Sequence, residues 1–189
     1  MKIITGLAKG MNLETLDGEA TRPTTQRVKE AIFSMIQFEI ENTCVLDLFA
    51  GSGQMGLEAL SRGAKKATFC DASRDAADIV IRNAKKARLF DKCRISCCDY
   101  TQMIRGLAGK EKYDIIFIDP PYKEKNISEV LKKIVKADIM SDSCIVVCES
   151  GYQDIFEDDD IANKFDVSKS SRYSISYVTL LRYKADSEA

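Results

Sequence analysis

The chain has 189 residues, and its content of 45% hydrophobic and 30% charged residues predicts one folded globular domain rather than a disordered or fibrous protein. Lysine and arginine total 28 against 29 aspartates and glutamates, so the net charge of −1 gives no general attraction for nucleic acid. The absence of histidine excludes Ser-His-Asp triads, Cys-His pairs and HExxH sites. The apolar runs are too short to cross a bilayer, and the opening residues do not resemble a secretory signal. We therefore expect a cytoplasmic protein with no membrane segment and no metal.

The first 40 residues are predicted to be an extension that docks on a main domain formed by residues 41–189. They contain a strand-like or hairpin opening, then the sequence Arg22-Pro23-Thr24-Thr25, then a helix that continues to about Phe38. This extension is too short for a core of its own. Its helix carries apolar residues at helical spacing, which predicts a docking face: Val28, Ala31, Ile32, Met35 and Ile36.

From about residue 40, short apolar or β-branched runs alternate with helical stretches, which is the signature of βαβ units. In chain order the predicted elements are a strand over 44–49, a helix over 54–62, a strand over 67–70, a helix over 73–88 capped by Ser73, a strand over 93–98, a helical segment over 100–107, a strand over 113–118, a helix over 127–137 and a strand over 143–148. Two alternating segments, around 165–168 and 175–181, predict a closing antiparallel pair. The fold class is therefore α/β, with a mostly parallel sheet.

A glycine motif, Gly51-Ser52-Gly53-Gln54-Met55-Gly56, lies between a predicted strand and a predicted helix, and Asp71 ends the next strand. This combination indicates a nucleotide-like ligand, whose ribose an acid at that position can bind. Asp47 favours S-adenosylmethionine over NAD, because a carboxylate beside the loop repels a pyrophosphate but attracts an ammonium group. Asp99 follows the third strand, where it could bind an adenine amine or cap the next helix.

The sequence Asp119-Pro120-Pro121-Tyr122 directly follows a predicted strand, at the edge where open α/β sheets bind ligands. The amine of a nucleobase is a poor nucleophile because its lone pair is delocalised into the ring. The Asp119 carboxylate and the Pro120 carbonyl can accept its two N–H hydrogens, and Pro121 adds no competing donor. Tyr122 can stack on the base. The motif therefore predicts methyl transfer to a planar amine.

The chain resembles the RsmD family of guanine-N2 methyltransferases that act on 16S ribosomal RNA. The resemblance rests on four blocks of sequence: Arg22-Pro23-Thr24 with Arg27-Val28-Lys29-Glu30-Ala31-Ile32-Phe33, then 45–53, 56–64 and 119–122. It implies a seven-stranded Rossmann-like class I methyltransferase fold with S-adenosyl-L-methionine as cofactor. The catalytic residues that it implies are Asp119, Pro120, Pro121 and Tyr122. The cofactor-binding residues are expected to be Asp47, Ala50, Gly51, Gly53, Asp71, Ala72, Asp99 and Tyr100.

The same resemblance implies that the partner is 16S rRNA, and the neutral chain favours RNA already folded in a small-subunit particle. Such a substrate would meet a local basic patch, for which the candidate residues are Arg22, Arg27, Lys29, Lys123 and Lys125. The sequence departs from the family at Met11, where a second basic residue is frequent, and at Ser174, where glycine is usual.

Three alternatives remain open at this point. The Asp-Pro-Pro-Tyr turn could equally hold adenine N6 in DNA or the amide of a protein glutamine. The glycine motif alone would suit an NAD-dependent oxidoreductase. A non-catalytic RNA-binding module would give the Asp119 turn no role.

Overall fold

The computed structural model describes residues 1–16, 26–121 and 127–185. The chain forms two compact units, Met1–Tyr100 and Thr101–Ala189. The expected domain limits, 1–40 and 41–189, stay a prediction. No helix in the described ranges is long and apolar enough to cross a membrane.

The first unit contains three parallel strands with helices between them, as the βαβ pattern predicts. Val45 of the first strand pairs with Ala67 of the second, and Phe69 pairs with Ile95 of the third. The elements are α1 (Gln26–Met35), β1 (Cys44–Asp47), α2 (Gln54–Ser61), β2 (Lys66–Asp71), α3 (Arg74–Lys86), a short 3₁₀ helix (Phe90–Lys92) and β3 (Cys93–Cys97). The predicted order is confirmed, although α1 ends three residues before Phe38.

Helix α3 shows why its sequence forms a helix at this place. The Ser73 hydroxyl accepts a hydrogen bond from the Ala76 N–H at 3.3 Å, which confirms the predicted N-cap. Asp75 lies in the first turn and Lys85 and Lys86 in the last, so the charges at both ends interact favourably with the helix dipole.

The N-terminal segment, residues 1–16, forms a turn that packs on the end of α2 rather than a regular hairpin. Its single antiparallel bridge joins Lys2 and Asn12. Gly6 has φ +85°, and a Cβ there would lie 1.7 Å from the Ser61 carbonyl oxygen, so only glycine permits this approach. The Ser61 hydroxyl also accepts a hydrogen bond from the Ala8 N–H. The segment is therefore fixed to α2 through backbone contacts.

The Glu58 carboxylate on α2 joins this segment to α1. It is fully buried and accepts hydrogen bonds from the Ile4 N–H at 2.8 Å and the Thr5 N–H at 3.1 Å. The Lys29 ammonium lies 3.1 Å from one Glu58 oxygen, and the Arg62 Nε lies 2.8 Å from the other. A buried charge is stable only when such donors surround it.

The prediction that Lys29 contacts RNA is wrong, because its side chain is fully buried against Glu58. Its ammonium also donates to the Lys2 carbonyl oxygen at 2.7 Å. Burial lowers the pKa of Lys29, and the neighbouring Glu58 opposes that change. Phe33, one helical turn further along, is buried on the same face, whereas the predicted core residues Ala31 and Met35 are only half-buried.

Replacing Glu58 by alanine should leave the Lys29 ammonium buried without its counter-charge. We expect Glu58→Ala to lower the free energy of unfolding by about 3–5 kcal/mol. Urea denaturation followed by circular dichroism measures the change. The control is Asp78→Ala, which removes an acid from the exposed Arg74–Asp78 pair and should cost less than about 1 kcal/mol. Equal losses in the two variants would contradict the assigned role of Glu58.

The second unit contains two parallel strands followed by an antiparallel pair. Ile118 of β4 pairs with Cys148 of β5, while β7 runs antiparallel to both β5 and β6. The elements are α4 (Tyr100–Leu107, which begins on the last residue of the first unit), β4 (Tyr113–Ile118), α5 (Ile127–Ala137), β5 (Met140–Ser150), α6 (Asp159–Ala162), β6 (Phe165–Tyr173) and β7 (Ser176–Tyr183). The seven strands of the two units and the antiparallel C-terminal pair confirm the prediction.

A two-residue turn, Ser174-Ile175, joins β6 to β7. Ser174 has φ 58°, in the left-handed region that glycine adopts without strain. The Ser174 carbonyl accepts a hydrogen bond from the Arg172 Nε at 3.1 Å, and the Ser176 hydroxyl donates to the Tyr173 carbonyl. These bonds stabilise a turn whose first central residue is unfavourable. The positive φ is the physical reason why glycine would suit this position better than serine.

Glycine at position 174 should relieve this backbone strain. We expect Ser174→Gly to raise the free energy of unfolding by about 0.5–1 kcal/mol, since the gain at positive φ exceeds the extra entropy of the unfolded chain. The same change at Ser171, whose φ is not positive, should lower it. Thermal denaturation of both variants measures the changes, and a Ser174→Gly protein no more stable than wild type, or equal effects of the two substitutions, would contradict the strain assigned to residue 174.

Candidate active site

The three glycines of the glycine motif have different roles, Gly51 and Gly53 in the loop between β1 and α2 and Gly56 in the first turn of α2. Gly51 has φ 51°, and no described atom lies within 4 Å of the Cβ that a side chain would place there. A Cβ on Gly53, at φ 78°, would come within 3.1 Å of Val80. A Cβ on Gly56 would lie 2.3 Å from the ring of Phe69, so this glycine permits close packing of α2 on β2. Gly51 is thus the point where a ligand can approach the backbone.

Asp71, at the end of β2, binds the glycine loop directly. One carboxylate oxygen accepts a hydrogen bond from the Gly51 N–H at 2.8 Å, and the other accepts one from the Ser73 N–H at 2.9 Å. The Ala50 N–H donates to the Cys70 carbonyl next to it. A carboxylate has about four acceptor positions, so Asp71 can shape the loop and still accept ribose hydroxyls. Its role towards ribose stays a prediction.

Asp47 ends β1 beneath the same loop and is almost fully buried. Its carboxylate accepts a hydrogen bond from the Gly56 N–H at 3.1 Å. Burial, against the opposing hydrogen bond from the Gly56 N–H and with a smaller contribution from the charge of Asp71, raises the pKa of Asp47 from 3.8 to about 7. A cationic group bound beside Asp47 would favour the ionised carboxylate, so the site is suited to a ligand that carries an ammonium.

The residues after β3 complete this edge of the first unit. The Cys98 N–H donates to the Asp71 carbonyl at 3.0 Å and so holds the ends of β2 and β3 together. Asp99 is exposed immediately before α4, and Ala72 is exposed beside Asp71. The Tyr100 ring lies 5.3 Å from the ring of Phe49, centroid to centroid. The predicted cofactor residues therefore follow the carboxyl ends of three adjacent parallel strands.

Asn83 of α3 is a residue that sequence reasoning missed. It is fully buried, and its side-chain nitrogen donates to the Ser52 carbonyl at 2.9 Å and to the Glu14 carbonyl at 3.1 Å. Its side-chain oxygen accepts from the Glu14 N–H at 2.8 Å. One amide therefore connects the glycine loop to the N-terminal segment. A polar residue within the otherwise apolar buried stripe of α3 was the signal that could have identified it.

A cavity of about 560 Å³ lies beside this connection, between the N-terminal segment and α3. Its lining carries three carboxylates and one guanidinium, so its charge disfavours an RNA phosphate. The lining residues are Leu13, Glu14, Thr15, Leu16, Asp75, Asp78, Ile79 and Arg82.

In the second unit, Asp119 directly follows β4, as predicted. Asp119 is half-buried, Pro120 is buried and Pro121 is exposed. Ile115 to Ile118 of β4 are all buried, so the strand holds the turn on a rigid support. Tyr122 lies outside the described residues.

Among the predicted RNA contacts that the structure describes, Arg27 is exposed in the first turn of α1, whereas Lys29 is buried. Arg22, Lys123 and Lys125 lie outside the described residues. The contact proposed for Arg27 therefore remains a prediction.

The raised pKa of Asp47 predicts a pH-dependent difference from Asp47→Asn. The stability that its protonated form supports is present at low pH and is lost as the pH rises towards 7, because the folded state holds a proton that the unfolded chain releases. The asparagine keeps an acceptor for Gly56 without a charge to bury. Relative to wild type, we expect the variant to gain about 2–3 kcal/mol in unfolding free energy between pH 5 and pH 8. Urea denaturation of both proteins at the two pH values measures the change. The same difference in unfolding free energy between variant and wild type at pH 5 and at pH 8 would contradict the prediction.

The chain is similar to known proteins over nearly its whole length. A family model described as conserved hypothetical protein 95 matches residues 1–182. YlbH of Bacillus subtilis, a putative rRNA methyltransferase, is 37% identical over 150 residues, which are 79% of this chain and 82% of that protein. Ribosomal RNA small subunit methyltransferase D of Escherichia coli K12 is 33% identical over 156 residues, which are 79% of this chain and 74% of that protein.

A solved structure supports the same relationship. The putative methyltransferase yhhF from Escherichia coli superposes with a TM-score of 0.85 at 26% identity, and the match covers 98% of this chain and 99% of that one. The predicted Rossmann-like methyltransferase fold is thereby confirmed. By its sequence and its fold, the chain belongs to the conserved hypothetical protein 95 family, the RsmD family of ribosomal RNA small subunit methyltransferases.

Proposed function

We propose that this protein transfers a methyl group from S-adenosyl-L-methionine to the exocyclic N2 amine of a guanine in 16S ribosomal RNA. The observation that supports this most is the position of Asp119 and Pro120 directly after the buried strand β4, in a member of an rRNA methyltransferase family. Such a substrate would place the enzyme in the cytoplasm.

The first unit fits the cofactor in the chemistry of its acceptors. S-adenosylmethionine offers an ammonium, two ribose hydroxyls and an adenine amine, all of which are donors, and supplies a methyl group on a positively charged sulfur. Asp47, Asp71 and Asp99 are acceptors at the ends of three adjacent strands. The Gln54 side-chain oxygen, next to the loop, is buried with no hydrogen-bond partner among the described residues. The pyrophosphate of NAD would instead meet the carboxylates of Asp47 and Asp71.

In the proposed reaction, the residues of the Asp119 turn position the amine and stabilise charge. The Asp119 carboxylate and the Pro120 carbonyl accept the two N–H hydrogens, which aims the nitrogen lone pair out of the plane of the base. The negative charge of Asp119 would stabilise the positive charge that develops on nitrogen as the N–C bond forms and the bond from the methyl carbon to sulfur breaks, which leaves a neutral thioether. The nitrogen then loses one proton, for which Asp119 is the base in this turn. Tyr122 is proposed to stack on the base.

The proposed RNA surface includes Arg22, Arg27, Lys123 and Lys125, without Lys29. Because the chain has a net charge of −1, a general electrostatic attraction cannot supply the affinity. We therefore propose that the substrate is RNA folded within a small-subunit particle and recognised by its shape. Equal rates on naked 16S RNA and on subunits would contradict this part of the proposal.

The decisive experiment is transfer of labelled methyl to unmodified small ribosomal subunits, followed by nucleoside analysis. We expect wild type to form N2-methylguanosine and Asp119→Ala to lose about 10²–10³-fold in rate. Asp119→Asn keeps the shape and one acceptor without the charge, so it should lie between them. Titration with S-adenosylmethionine, expected to be unchanged in both variants, separates lost chemistry from lost donor binding.

The product distinguishes the remaining alternatives. Label in N6-methyladenine of DNA or in a protein glutamine, with none in RNA, would replace guanine by one of those planar amines. Full activity of Asp119→Ala would contradict the assigned role of the turn itself.

A further inference from the structure

The turn between β6 and β7 lies at the same edge of the second unit as Asp119. Ile118 pairs with Cys148, Cys148 with Thr179, and Thr179 with Ser170, so these four residues stand at one level across β4, β5, β7 and β6. Beyond this level, β4 continues into Asp119 and β6 continues to Tyr173 and the turn. Three strand spacings separate β4 from β6, or about 14 Å.

This end of the hairpin is basic and carries no acid. Outside the two turn residues, the segment 168–177 contains Lys169, Arg172 and four serines. None of its residues is an aspartate or a glutamate. Both basic side chains belong to exposed residues. The opposite end of the hairpin differs, because there Lys184 forms an ion pair with Asp166 at 2.9 Å. Two exposed basic side chains are therefore concentrated at the turn end of the hairpin, at the edge that bears Asp119.

Arg172 is held in position by its neighbours. Its Nε donates to the Ser174 carbonyl at 3.1 Å, and its guanidinium carbon lies 5.7 Å from the centroid of the Tyr177 ring. This bond uses one of five N–H donors, and the others share one plane, which is the arrangement that binds phosphate oxygens in pairs. A guanidinium that is already fixed loses less side-chain entropy when it binds.

We propose that the β6–β7 turn binds the phosphate backbone of the substrate RNA, with Arg172 as the main contact and Lys169 as the second. The inference rests on the proposed function, because Asp119 marks the edge at which the target base would lie. Nucleotides flanking that base would pass over the hairpin, and the exposed Ile175 would contact their sugars. In a chain without net positive charge, a local patch of this kind supplies the phosphate contacts that position RNA.

The strand β6, which carries Lys169, lies at the edge of the sheet. Because exposed lysines on an edge strand also prevent strands of different molecules from pairing, the test must separate RNA binding from that role. We would measure the Kd of the whole protein for unmodified small ribosomal subunits at several KCl concentrations. Arg172→Ala should raise Kd about three- to tenfold and reduce the slope of log Kd against log salt by about 0.7. Lys184→Ala, an equal charge loss at the other end of the hairpin, should leave both values unchanged.

Arg172→Lys separates charge from bracing of the turn, because lysine keeps the positive charge and loses the planar guanidinium. We expect it to keep the full salt slope and part of the affinity, because an ammonium carries the charge but cannot bind phosphate oxygens in pairs. An Arg172→Lys protein with the reduced salt slope of Arg172→Ala, or equal losses in Arg172→Ala and Lys184→Ala, would overturn the proposal, as would subunit binding too weak to detect in wild type. Formation of N2-methylguanosine is scored separately, so failure of the methylation reaction is recognised independently of failure at this surface.

Discussion

The Glu58 carboxylate is the point on which the arrangement of the first unit depends. A buried charge is tolerated only when donors fill its acceptor positions, and here these donors come from the N-terminal segment, from α1 and from Arg62, the C-cap of α2. Because α2 begins directly after Gly53, the same helix carries the glycine loop at one end and this ion cluster further along. The docking of residues 1–16 and of α1 onto the helix that carries the loop thus depends on one electrostatic requirement.

The two acids beside the glycine loop illustrate how burial divides similar groups between structure and ligand binding. Asp71 is half-buried and its two oxygens are used by backbone N–H groups, so its charge shapes the loop. Asp47 is more deeply buried and receives one backbone N–H, and its pKa is raised to about 7. Such a group disfavours folding at neutral pH, and a cation bound beside it, as proposed for the ammonium of the cofactor, would stabilise its charged form.

Local signals predicted the elements that depend on local interactions. The apolar run of β4 and the periodicity of α5 gave the correct bounds, and the positions of Asp47, Asp71 and Asp119 followed from the strands that precede them. Lys29 was misassigned because its partner, Glu58, is distant in sequence. The hairpin is longer than predicted because β6 is solvent-exposed along most of its length, so it lacks the alternation that marks a half-buried strand.

Asn83 restricts how this protein can vary. Its side chain provides one acceptor and two donated bonds within a fully buried space, a combination that aspartate lacks and that glutamine reproduces only with an extra methylene group. Replacement would leave the Glu14 backbone or the Ser52 carbonyl unsatisfied, at the full cost of a buried polar group. Because the partners of Asn83 are backbone atoms, these hydrogen bonds do not depend on which side chains stand at positions 14 and 52. The constraint that this connection imposes on the sequence therefore falls on position 83, a buried residue of α3 that is not among the predicted site residues.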